Sequence, residues 1–311
     1  MDHPRYSTGY AALWNTLGLM VETHMLKPYA KRVDGTYHLM RQMIAITEKE
    51  GAQIKALRAR DSTRTKYGAF YPTRWKIDSS QTSTLAFKGY KVDTLVSAVT
   101  GLPRLKYNRD STFTKPVVYF DTFTPTDSIA IPKAYIIPKA WNEVLDLLAL
   151  NQVTYEVLKK DTVMQVEAYE IVDFNTVKAP YEGHYLHYNT QVEARVKAVA
   201  FTAGDIVVPT DQPSFRYILE TLEPQCVDSF FNWNFFDTIL QRKEGFSPYV
   251  FEDTAARMLE QDTVLRAAFN ERRATDPTFA QNGYTQLDWL FKRSPLYESA
   301  HNQYPVYRVL P

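Results

Sequence analysis

Glu22 closes an apolar run. Residues 17–22 read Leu-Gly-Leu-Met-Val-Glu, and Thr23, His24 and Lys27 follow. A carboxylate at the end of such a run is costly unless it is paired, hydrated or used. If the run is a central strand of an α/β sheet, its end is where such folds place their sites. Burial there would raise the carboxyl pKa and suit Glu22 to proton transfer. The alternative is an ion pair with Lys27, Lys31 or Arg32, because structural pairs also bury carboxylates.

The other reactive residue types give weaker patterns. Neither HExxH nor HxxE occurs: the residues three after each of the six histidines are Tyr6, Lys27, Arg41, His187, Thr190 and Tyr304. His184 and His187 stand three apart, which puts them on opposite faces of a strand. Their flanks, Tyr185, Tyr188 and Val192, favour strand, so they read as ordinary sheet histidines. The single Cys226 excludes an intrachain disulfide and a cysteine-based zinc cluster. With no basic residue near it in sequence, it reads as a buried structural thiol. No GxSxG elbow is present, and a spatial Ser-His-Asp arrangement is not readable from sequence.

Composition narrows the class. The 311 residues carry 36 Lys+Arg against 35 Asp+Glu, a net charge of +1, so no broad basic field invites nucleic acid. Only 11 glycines are present, with no GxGxxG or GxxxxGK[ST] phosphate loop. The 21 Tyr and 17 Phe suit cores, sheets and ligand clefts. No apolar run approaches the length of a membrane span. The N-terminal MDHPRYSTGY lacks an apolar signal core, so the chain is expected to be cytosolic or to lack the start of the natural protein.

The elements that must position these residues follow from periodicity. A turn at Gly9, a short strand over Leu17–Glu22 and a helix over 36–60 are expected first. From residue 62, aromatic and β-branched alternation in KYGAFYPTRWKID, STLAFKGYKVDTL, PVVYFDTF, VMQVEAYEIVDF and QVEARVKAVAFTAGDIVVP predicts strands. PKAWNEVLDLLALNQV interrupts them as a helix, with Trp141, Val144, Leu145 and Leu148 on one face. After residue 216 helices are expected in DSFFNWNFFDTILQRKE, capped by Asp228 or Ser229, and in SPYVFEDTAARMLEQD, TVLRAAFNERRAT and AQNGYTQLDWLFKRS. The expected class is α+β: a strand-plus-helix remnant of an α/β sheet (1–61), a β-rich domain with an embedded helix (62–215), and a helical region (216–311).

The stretch YSTGYAALWNTLGLMVETHMLKPYAKRV, residues 6–33, resembles the last part of the catalytic domain of zinc metallocarboxypeptidases. In particular it looks like the larger, multi-domain carboxypeptidase A-like proteins of bacteria. PKAYIIPKAWNEVLDLLALNQV, YEGHYLHYNT, GDIVVPTDQPSFRYILETLEP and DSFFNWNFFDTILQRKEGFSPYVFED resemble their C-terminal accessory region. The resemblance implies a zinc peptidase acting on peptides, in which the LMVET strand ends in the general base, here Glu22. Tyr10 and Asn15 become substrate contacts by position. It also implies a periplasmic or secreted location.

The departure is the metal. In that family an HxxE pair and a later His precede the Glu strand, and only 21 residues precede Glu22 here. The chain alone is therefore expected to hold no zinc and to be inactive, as the C-terminal part of such a peptidase. A strand lacking its neighbours would leave apolar surface exposed around Leu19 and Met20. The alternative is a non-catalytic module that binds peptide or glycan or buttresses a peptidase domain.

Overall fold

Long alternating segments and short capped helices give a mixed α+β chain, about a third helix and a third strand. The computed structural model describes residues 2–62 and 69–311. The elements, in order, are α1 (Ser7–Leu13), α2 (Tyr29–Ser62), β1 (Phe70–Ile77), β2 (Ser83–Val96), β3 (Pro103–Tyr119), β4 (Phe123–Ala130), β5 (Ala134–Ile137), α3 (Asn142–Leu150), β6 (Glu156–Val157), β7 (Thr162–Thr176), β8 (His187–Phe201), β9 (Ile206–Pro209), α4 (Phe215–Leu222), α5 (Pro248–Gln261), α6 (Thr263–Thr275), α7 (Pro277–Ala280), α8 (Gly283–Phe291) and β10 (Tyr307–Val309). By internal contacts they divide into Met1–Tyr67 with Pro132–Pro311, and Gly68–Ile131.

The smaller unit is two antiparallel ribbons. β2 pairs with β3 from Ser83↔Tyr119 to Val96↔Pro103, and β1 pairs with β4. The β2–β3 ribbon exposes apolar side chains, among them Leu85, Phe87, Tyr90 and Tyr107. Of the segment KYGAFYPTRWKID, Lys66–Gly68 lie outside the described residues; its remainder forms β1 as expected.

The larger unit is built on a six-stranded sheet of order β6-β9-β5-β10-β7-β8, antiparallel at every pairing. β5 is central and reads as a continuous apolar run because all four of its residues are buried. The C-terminal β10 inserts between β5 and β7, so the last residues close the sheet. Ile136, Val166 and Phe201 form one core cluster. α4 buries Tyr217, Ile218, Leu219 and Leu222.

A second cluster, around Phe251, Phe269, Phe279 and Phe291, holds α5 to α8 together. Pro248 opens α5, while Asp262, Asp276 and Asn282 accept hydrogen bonds from the first backbone N–H groups of α6, α7 and α8. Asp288 on α8 accepts from Arg242 at 2.8 Å and pairs with Lys292 at 2.7 Å. Partial burial pushes its carboxyl up, but these two cations prevail and hold it below its ordinary value. Its stabilisation is present above that ordinary value and is lost as pH falls through the lowered one. Asp288→Asn is expected to cost roughly 1 kcal/mol at pH 7. That loss shrinks as pH falls below the ordinary carboxylate range, which denaturant titration at pH 7 and in acid checks.

Four expectations are corrected. Gly9 does not turn the chain; it lies inside α1. A Cβ there would meet the His3 carbonyl oxygen at 2.0 Å, so the N-terminal segment crosses the helix where only hydrogen fits. Gly9→Ala is expected to cost about 1–3 kcal/mol by overpacking, read as a lower unfolding midpoint.

Residues 17–22 form no strand. They run irregularly, with Leu17 80%, Leu19 62% and Met20 57% exposed, because no described strand offers them a ladder. The apolar exposure expected around Leu19 and Met20 is therefore found. The helix expected over 36–60 is longer, beginning at Tyr29 just after Pro28.

The helix expected over 228–244 is replaced by consecutive turns and a short 3₁₀ segment, Asp237–Leu240. Asp228 does not cap it, being taken by Arg5 and by the Trp233 indole N–H. Asn232 turns its amide on the Cys226 carbonyl, and Asn234 adopts φ 68°. Such side-chain bonds to backbone compete with a helix. The phenylalanines are buried in several directions: Phe231 and Phe236 both meet Tyr304 edge to face.

Candidate functional site

α1 ends where the candidate site begins. Its last buried residue is Leu13, and Trp14 and Asn15 leave the helix, Asn15 at φ 51° in the left-handed region that Asn tolerates. Arg58 of α2 fixes this exit. Its Nε donates to the Asn15 carbonyl at 2.7 Å and its Nη2 to Thr16 Oγ1 at 2.8 Å, while Asn15 Nδ2 donates back to the Arg58 carbonyl at 2.9 Å. Trp14 lies between two tyrosines, edge-on to Tyr10 at 6.0 Å and stacked on Tyr217 of α4 at 6.1 Å. Tyr10 Oη donates to Asn151 Oδ1 at 2.7 Å, and Asn151 Nδ2 donates to Tyr217 Oη at 3.0 Å.

These contacts frame a cleft of about 530 Å³. Its walls are the end of α1 (Leu13, Trp14, Asn15), one side of α2 (Lys55, Arg58) and the segment from β9 into α4 (Gln212, Phe215, Arg216). Arg216 reaches α1, donating to the Ala12 carbonyl at 3.2 Å. Asn15 thus lines the cleft. Tyr10 stands behind Trp14, and Glu22 lies on the exposed irregular segment and not among the lining residues.

Of the two histidines read as sheet residues, only His187 lies in a strand; His184 closes a turn through an isolated bridge to Tyr181. His187 opens β8; its ring is buried between Phe174 at 4.6 Å and Phe231 at 5.2 Å. Nδ1 meets Thr176 Oγ1 at 2.9 Å and Nε2 meets Asp237 Oδ1 at 3.0 Å. His184 instead stacks on Phe235 and meets Trp233 edge-on. Cys226 is buried. Among the described residues, no three His, Cys, Asp or Glu side chains gather as metal ligands. No helix among them is long and apolar enough to cross a membrane.

One polar centre had no signal in sequence. Glu223, at the end of α4, is fully buried. Tyr135 Oη donates to its Oε1 at 2.5 Å, and Arg308 Nε of β10 lies 2.9 Å from the same oxygen. Arg308 also pairs with Glu167 of β7, and its guanidinium lies 5.2 Å from the Tyr169 ring centroid. Burial pushes the Glu223 carboxyl up, against the pull of Arg308. The buried Tyr135 and Tyr169 hydroxyls are raised by burial and by Glu223. This network ties the last strand to the sheet centre and to α4.

No family model matches the chain, and no solved structure matches it. Curated relatives do. Carboxypeptidase 2 of Trichophyton tonsurans and that of Trichophyton equinum are each 29% identical over 126 residues, 39% of this chain and 23% of theirs. Carboxypeptidase 2 of Trichophyton rubrum is 30% identical over 116 residues, 36% of this chain and 21% of its own. The match spans less than a quarter of the length of these relatives. The chain is thus distantly similar to carboxypeptidases.

Proposed function

We propose that this chain is the C-terminal part of a carboxypeptidase-like peptide hydrolase of the bacterial multi-domain kind, with its site completed by residues outside the chain. Glu22 is the proton-transfer carboxylate of the complete site, and Tyr10 and Asn15 are substrate contacts. The similarity to carboxypeptidases supports the class. The observation that carries the reading is the apolar surface from Leu17 to Ile46. Leu19, Met20, Val33, Tyr37, Met40 and Ile44 are all exposed, more large apolar side chains left open over two neighbouring segments than a finished face carries. α2 is 34 residues, about 51 Å long, and none of its residues is classed as buried among those whose burial is described. A peptidase sheet packing on this face would bury both segments.

The resemblance also implies zinc. The described residues of this chain do not fit a zinc site, since no ligand cluster forms among them. Zinc ligands in the complete enzyme would then come from residues outside those described.

Two measurements test the reading. The coding sequence upstream of Met1 should contain an in-frame HxxE; its absence removes the peptidase assignment. The purified 311-residue chain should release no C-terminal amino acid from peptides, and zinc-supported release by it would show that the site is complete without further residues.

A second reading rests on the β2–β3 ribbon, whose exposed Phe87, Tyr90 and Tyr107 offer stacking surfaces for peptide or glycan. Saturable binding of either by the chain, lost on replacing Tyr90 and Tyr107 with serine, would favour a binding module.

A further inference from the structure

We infer that the cleft between α1, α2 and α4 is a binding site for a small organic anion, a carboxylate or phosphate carried on a flat apolar body. This rests on the cleft alone and stands whether or not the chain belongs to a peptidase.

Among the described lining residues, three are cations, Lys55, Arg58 and Arg216, and one, Asp211, is a carboxylate. The chain as a whole is nearly neutral, so this local excess does not follow from composition. Gathering like charges around a concavity raises its potential and draws an anion into it. Two of the three are held in place. Arg58 is locked onto the Asn15 carbonyl and Thr16, and Arg216 is tied to the Ala12 carbonyl with its guanidinium carbon 5.8 Å from the Phe215 ring centroid. Donors fixed beforehand lose little freedom when a ligand arrives.

The remaining wall sets the ligand's body. Leu13, Trp14, Pro213 and Phe215 offer apolar and aromatic surface, and the volume of about 530 Å³ lies in the range of small-molecule sites. Among the described residues the buried indole N–H of Trp14, a cleft-lining residue, has no acceptor. Carboxylate and phosphate share this chemistry; guanidinium groups bind both in bidentate fashion.

The test is calorimetric titration of the whole chain with three probes of one shape: 3-phenylpropionate, phenyl phosphate and the neutral 3-phenylpropionamide. One-site binding of at least one anion is expected, with the amide weaker by on the order of tenfold. The ratio of the two anions identifies the oxyanion preferred. Lys55→Gln, on an exposed position, should weaken the anion several-fold without changing the unfolding midpoint. Arg216→Gln should weaken it about tenfold and Arg216→Lys less, since the charge remains. Equal binding of amide and anion, no binding at millimolar probe, or affinity indifferent to both positions would overturn the proposal. Unchanged affinity in the Lys55 variant alone would remove Lys55 from the site while Arg216 still decides the question.

Discussion

Replacing Arg308 with methionine should destabilise the larger unit by about 3–5 kcal/mol at pH 7. Arg308 is nearly buried and is the cation that faces both Glu223 and Glu167. Methionine fills a similar volume, so the loss is chiefly that of two carboxylates left without their counter-charge. For a unit of this size the unfolding midpoint should fall by roughly 6–20 °C. Removing the charges together tests the explanation: Glu223→Leu combined with Arg308→Met should be less damaging than Arg308→Met alone, because the fully buried carboxylate goes with its partner.

The pH dependence gives a second reading of the same group. Burial already raises Glu223 above its ordinary 4.5, with Arg308 opposing. Without Arg308 the carboxyl rises further, so the folded variant holds a proton that the unfolded chain releases. Where the native state binds more protons, stability falls as pH rises. The deficit of the Arg308 variant relative to wild type should therefore be small near pH 4.5 and grow as pH climbs past it. A deficit constant from pH 4.5 to 8 would mean that packing, and not charge, holds this centre together.

The second large effect concerns Glu22. In the complete hydrolase, Glu22→Gln should lower kcat by roughly 10²–10⁴-fold with a smaller change in KM, as expected for a lost proton acceptor. The substitution keeps shape and removes only the ability to take a proton. On the isolated chain it should leave stability unchanged, because Glu22 is exposed on an irregular segment. The two halves separate the roles: a structural carboxylate would show in the unfolding midpoint, a catalytic one only in turnover. Near-normal turnover of the complete variant would rule out Glu22 as the base.

The sequence announces elements whose causes are local. α5, α6 and α8 are legible because their starts are marked by Pro248, Asp262 and Asn282 and their apolar residues recur at helical spacing. β7 and β8 are legible from alternation. The segment after Asp228 misleads because the same residues have non-local partners. Arg5 takes the cap carboxylate from 223 residues away, and the phenylalanines pack inward on several sides. Residues 17–22 have strand composition without a strand to pair with.

The candidate site is legible only in part. Asn15 stands at the cleft wall, but its place there follows from the end of α1 and its bonds to Arg58, which no spacing in the sequence declares. The cations opposite it come from three separate stretches of sequence, and nothing in the spacing of Lys55, Arg58 and Arg216 declares that they share a wall. The Glu223–Arg308 centre is invisible for the same reason: its members lie on α4, β5, β7 and β10.

The clasp between Arg5 and Asp228 also sets a schedule for synthesis. A ribosome adding roughly 5–20 residues per second needs about 10–45 s to travel from one to the other. For that interval Arg5 lacks its partner, and for most of it α1 lacks the α4 surface on which Trp14 stacks. Nascent chains stalled before α4 emerges should therefore leave α1 open to protease, whereas chains carried past residue 228 should protect it.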